Sequence, residues 1–172
     1  MPALLKGKGY DAVVITNHFV FHTDGTPAEE ALDFYMSGYE QTKAAADQYG
    51  IRVILGAEIR FEDHPNDYLL YGLQEDFFYS VPRLNELKNV QELLSFMPES
   101  VCVVQAHPFR NGMAVADPTD LFGIEVYNGG TEKKRNDLAY HFANYYNMAM
   151  TSGSDIHDMS RLAKGGIMTE EQ

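Results

Sequence analysis

The chain has 172 residues, of which 45% are hydrophobic and 22% charged, the composition of one globular domain with an apolar core spanning 1–172. Lys and Arg total 13 against 25 Asp and Glu, and the resulting net charge of −12 argues against any sequence-independent attraction to nucleic acid or to an anionic membrane. Cys102 is the only cysteine, so an intrachain disulfide is excluded, and its setting in the apolar run VCVV reads as a small core residue in a reducing compartment.

The opening MPALLKGKG carries no apolar stretch of the secretory kind, and no run of about eighteen apolar residues occurs anywhere, so a cytoplasmic location is expected. The first strand is expected at DAVVIT, 11–16. A helix follows over 27–50, with Pro27 and acids at its front, alanines in its body and Gly50 at its end. Strands are expected at RVILGAE, 52–58, and DYLLYGL, 67–73, then a helix over 82–98 bounded by prolines with leucines at helical spacing. The strands VCVVQA, 101–106, and FGIEVY, 122–127, precede a helix over 131–148. That helix opens on Thr131 as its cap, and its aromatic stripe reads as a packing face. Weaker strands at 148–154 and 165–168 close the series. Uninterrupted apolar runs suit strands covered on both faces, so the alternation predicts an α/β fold built on a parallel sheet. No repeat, low-complexity tract or linker interrupts it.

In such folds the chemistry gathers where strands end at their carboxyl side, because loops there vary without disturbing the core. His18 follows VVIT, Glu58 ends VILGAE, His107 follows VVQA, and Asp155 and His157 follow the strand that ends at TSG. Singly, each fits a structural histidine or a capping acid equally well. Together they form a set of imidazole and carboxylate donors that suits Zn, Mn or Fe without a thiolate.

Five segments in order carry a resemblance: VITNH at 14–18, GAEI at 56–59, AHPFR at 106–110, GIEVYN at 123–128 and GSDIH at 153–157. This pattern resembles the polymerase and histidinol phosphatase (PHP) superfamily, and with NDYLLYGL and GGIMTEE it is similar to small bacterial PHP proteins over essentially the whole chain. The resemblance implies a distorted (β/α)7 TIM-like barrel and phosphoester hydrolysis by metal-activated hydroxide, with one to three divalent cations. It implies metal roles for His18, Glu58, His107, Asp155 and His157, with Glu58 as the bridging carboxylate. It also implies catalytic roles for Glu58, Asp155 and Arg110; the planar fork of Arg110 reads either as a grip, with Asn128, on a small phosphorylated substrate or as a surface arginine paired with one of the many carboxylates.

Departures from the superfamily's pattern shape further expectations. The first HxH strand is not seen, MPALLKGKG resembles the tail of the first helix, and the terminal helix is also missing, so the barrel is expected to be incomplete. An open barrel edge invites pairing with a second copy. Asn17 replaces the usual Asp beside His18, and Gln74 stands where some relatives carry a ligand histidine. His22 and His64 read as loop histidines, Asp24 and Gly25 as turn residues, and His141 as packing. The alternative function is a non-catalytic remnant that binds metal or a partner in a regulatory role.

Overall fold

The computed structural model describes residues 1–19, 28–61, 63–80, 84 and 87–170. His22, Asp24 and Gly25, and much of the front of the helix expected over 82–98, lie outside the described residues. The chain divides into two compact units, Met1–His64 with Leu69–Val101 and Pro65–Tyr68 with Cys102–Gln172. The α/β class read from the alternation is observed in both.

In the first unit, helix α1 (Pro2–Gly7) starts on a proline at its first turn, where a missing N–H costs nothing, and buries Pro2 and Leu5. Strand β1 (Ala12–Ile15) pairs in parallel with β2 (Arg52–Arg60), in a register running from Ala12 opposite Arg52 to Ile15 opposite Leu55. Helix α2 (Ala28–Asp47) crosses between them. Its first turn carries Glu29 and Glu30, which complement the helix dipole, and Leu32, Met36, Tyr39 and Ala46 recur at helical spacing as buried positions. Strand β3 (Asp67–Tyr71) continues the order β1-β2-β3. The connection 61–66 is too short for a parallel crossover, which needs about a dozen residues, so β3 returns along β2 and the expectation of a wholly parallel sheet is corrected. Gly56 makes the close approach feasible, because a Cβ there would stand 2.8 Å from the Leu70 carbonyl oxygen. Helix α3 (Glu75–Ser80), not anticipated from the sequence, and helix α4 (Val90–Phe96) complete the unit. Asn89 caps α4 by accepting the Glu92 N–H at 2.9 Å.

In the second unit the order is β3-β4-β5-β6, with β4 at Cys102–Gln105, β5 at Gly123–Asn128 and β6 at Ala149–Gly153. The β4–β5 and β5–β6 pairings are parallel, and the second carries a bulge between Glu125 and Tyr127. Helix α5 (Lys133–Tyr146) stops at Asn147, whose φ of 53° is a left-handed cap. Three expectations change here. The α5 cap is Glu132 rather than Thr131, whose hydroxyl instead donates to Asn128 Oδ1 at 3.2 Å. The aromatic stripe is not the packing face: Asn136, Ala139 and Ala143 are buried, whereas Tyr140, Tyr145 and Tyr146 are exposed, because small side chains let the helix lie close to the sheet. His141 is exposed beside the Tyr140 ring, not packed.

Residues 165–168 form no strand. Glycines contribute nothing to a pleated surface, and a serine of β6 and the one that follows it capture this backbone instead: Gly166 N donates to Ser152 Oγ at 3.1 Å and Gly165 N to Ser154 Oγ at 3.0 Å. Among the described residues the strands therefore number six, fewer than a (β/α)7 barrel requires. Cys102 is only half-buried.

Candidate metal and phosphate site

In the first unit the chain leaves β1 still extended. His18 forms a parallel bridge with Glu58, Glu58 N donates to Asn17 O at 3.0 Å, and Phe19 N donates to Glu58 O at 2.8 Å. The segment 17–19 thus holds Glu58 through both its N–H and its carbonyl. Phe19 is buried edge-on against Tyr35, their ring centroids 5.1 Å apart, and this anchors the segment that carries His18. The outcome is an imidazole Nε2 3.5 Å from the Glu58 carboxylate, with the His18 side chain 43% exposed.

In the second unit Asp67 opens β3, and its carbonyl accepts the Ala106 N–H at 3.0 Å, so the start of β3 lies beside the end of β4. His107 follows with φ +28°, a conformation rare for a residue bearing a side chain. Its Nε2 lies 3.6 Å from Asp67 Oδ2, both side chains at 2% exposure or less. The Arg110 N–H closes a turn onto the His107 carbonyl at 2.9 Å, and Arg135 from α5 pins this turn through Phe109 O and Asn111 Oδ1.

Arg110 Nη2 donates to Asp155 Oδ2 at 2.6 Å and to Asn128 Oδ1 at 3.3 Å. Asp155 adopts φ +48°, and its other oxygen lies 3.2 Å from His157 Nδ1. Arg161 Nη1 reaches the same carboxylate at 3.7 Å and donates to the Asp155 carbonyl at 3.3 Å. Burial works to raise the Asp155 pKa, but the hydrogen bond and charge of Arg110, aided by His157 and His107, outweigh it and hold the carboxyl below its ordinary 3.8. Glu125 behaves in the opposite way. Burial dominates, the hydrogen bonds from Asn128 and His107 offset only part of it, and its carboxyl is held above the ordinary carboxylate value.

The structure therefore brings together Arg110, Asn128, Asp155 and His157 in one unit, with His107 beside Asp67, and His18 with Glu58 in the other. His18, Glu58 and Asp67 all carry donor atoms of the kind a cation takes. Two donors each about 2.1 Å from a tetrahedral cation lie about 3.4 Å apart, the spacing that the His18–Glu58 and Asp67–His107 pairs already have. Gln74, in the region where a further histidine was sought, is exposed, and His64 is half-buried.

The sequence reading missed three residues. Asp67 begins its strand, where the carboxyl-end rule does not reach; because β3 runs back, its amino end meets the end of β4. Glu125 sits inside a core strand, where an acid flanked by Ile124 and Val126 was the available signal. Arg161 sits in a 3-10 turn, Met159–Arg161, with no motif to mark it.

No family model and no curated protein matches the chain. Among solved structures, a protein from Bifidobacterium adolescentis assigned as a metal-dependent phosphoesterase aligns with a TM-score of 0.59 at 14% identity, covering 91% of this chain and 81% of that one. A two-domain protein from Bacteroides vulgatus, containing a predicted PHP-like metal-dependent phosphoesterase, aligns with a TM-score of 0.56 at 20% identity over 87% of this chain. The chain shares the fold of these two proteins. It spans 44% of the two-domain Bacteroides protein. Within this fold, His107, Asn128 and Asp155 stand at or just past the ends of β4, β5 and β6, where α/β sheets present their ligands.

Proposed function

We propose that the chain is a hydrolase that cleaves the phosphoester of a small molecule with the help of divalent cations. What carries this reading is the ligand-like spacing of Asp67 and His107, nearly inaccessible to solvent and adjoined by an arginine-rich cluster. Asp67 with His107, and His18 with Glu58, each form the core of a cation seat, and Asp155 and His157 supply further donors. Imidazole and carboxylate together favour Zn, Mn or Fe over Ca or Mg. A bound cation would supply Lewis-acid charge for phosphoryl oxygens and acidify a water molecule.

The remaining work falls to the protein's own side chains. Arg110 presents a planar fork of N–H donors that matches two phosphoryl oxygens. Asn128 and Asp155 fix that fork from one side, which orients a substrate phosphate before the reaction. Arg161 adds a second guanidinium next to Asp155, so two positive groups meet at this carboxylate.

The test is turnover of p-nitrophenyl phosphate by the full chain. Hydrolysis should vanish with a chelator, return with Mn or Zn, and fall at least about a hundredfold in Asp155→Ala and His107→Ala. Turnover that survives chelation, or that Asp155→Ala leaves unchanged, contradicts the proposal.

A further inference from the structure

Glu125 is 4% exposed, and none of the ligand or phosphate-gripping roles above uses it. Its Oε2 accepts two hydrogen bonds, from the His107 backbone N–H at 2.9 Å and from Asn128 Nδ2 at 3.0 Å. Both donors are neutral, so a charged carboxylate here is a poor choice on stability alone, because burying charge without a cation costs free energy.

The second bond needs a special backbone. In a regular strand, residues three apart point to opposite faces, so Glu125 and Asn128 should not meet. They meet because Glu125 lies opposite Thr151 and Tyr127 opposite Ser152, which leaves Val126 as an extra residue in β5. The bulge turns Asn128 back to the face of Glu125. The neighbouring strand leaves room as well: a Cβ on Gly153 would stand 2.7 Å from Glu125 Oε1. With its Nδ2 committed to Glu125, Asn128 must turn Oδ1 outward, where it accepts from Arg110 Nη2 at 3.3 Å, Gly130 N at 2.9 Å and Thr131 Oγ1 at 3.2 Å.

We infer that Glu125 is a positioning residue that holds His107 directly and Arg110 through Asn128. The inference deepens the phosphoesterase reading and rests on it for its consequence. One buried oxygen then fixes the positive-φ backbone of a proposed metal ligand and the guanidinium proposed to grip phosphate. The bulge in β5 is the device that lets a single residue reach both.

The experiment uses the full chain and the variants Glu125→Ala, Glu125→Gln and Asn128→Ala. It reads amide hydrogen exchange at His107, Mn2+ binding and inorganic phosphate binding by calorimetry. Glu125→Ala should speed exchange at the His107 amide and weaken both Mn2+ and phosphate by about ten- to a hundredfold. Glu125→Gln, whose amide oxygen replaces the accepting oxygen, should recover most of each loss. Asn128→Ala should leave the His107 amide protected and weaken phosphate but not Mn2+. A folded Glu125→Ala that matches the parent in His107 exchange and in both affinities overturns the inference. If Glu125→Ala fails to fold, Asn128→Ala decides: unchanged phosphate binding overturns it. A parent chain that binds neither probe sinks the phosphoesterase reading instead, while His107 exchange still shows whether Glu125 holds that residue.

Discussion

Gly130 shows how closely the cluster around Asp155 is packed. A Cβ there would stand 2.5 Å from Arg161 Nη1 and 2.8 Å from Asp155 Oδ2, both at the far ends of side chains that can move away. Gly130→Ala should therefore cost little stability but displace the carboxylate and its arginines, lowering turnover about tenfold with the melting temperature nearly unchanged. Paired kinetics and thermal denaturation check this, and parent-like turnover contradicts it. Asp117 makes a separate prediction about pH. Its carboxylate accepts from Thr119 N at 2.9 Å and Thr119 Oγ1 at 2.7 Å, and these bonds hold its pKa below the ordinary 3.8. A folded-state pKa below the unfolded one means that the stabilisation is complete above the ordinary value and is lost as pH falls through 3.8 towards the lower value. Asp117→Ala should melt below the parent at neutral pH, with the gap closing in acid; a gap that does not change with pH contradicts this. At this scale the strand-end rule picks out His18, Glu58, His107, Asp155 and His157 as candidates, whereas Arg110 and Asn128 enter only with the resemblance. Glu125 and Asp67 were not legible, because their placement depends on a bulge and on a reversed strand, which no local residue pattern announces.

Elements were legible where hydrophobic runs are continuous. β2, β4 and β5 fall within about two residues of their expected bounds because β-branched and apolar side chains fill both faces there. The face of α5 was not legible, since aromatic rings look like core in a sequence while the sheet accepts only its alanines at close range. The direction of β3 was hidden too, because an apolar run reads the same either way and only the short 61–66 connection fixes it. The packing of α2 on β2 gives the test at this scale. Tyr35 donates its hydroxyl to the Gly56 carbonyl at 2.8 Å, and its ring packs against Phe19 and Phe78. Tyr35→Phe keeps the ring contacts and loses the bond, so it should destabilise the chain by about 0.5–1.5 kcal/mol in chemical denaturation. No loss would mean that the bond does not secure α2 over the strand that carries Glu58.

For the whole molecule, the order of motifs from VITNH to GSDIH pointed to the PHP superfamily, and the fold likeness to PHP-like proteins agrees with it. The boundaries of the two compact units fall between His64 and Pro65, inside β3 and between Val101 and Cys102, where no linker composition marks them. His18 with Glu58 in one unit and His107 with Asp67 in the other stand at ligand spacing. We propose that these pairs hold cations. An anomalous-scattering map from crystals of the full chain grown with Mn2+ tests it most directly. Peaks are expected within bonding distance of the imidazole nitrogens of His107 and His18 and of the carboxylates of Asp67 and Glu58. Saturating Mn2+ with density only at surface carboxylates, and none at these two pairs, would contradict it.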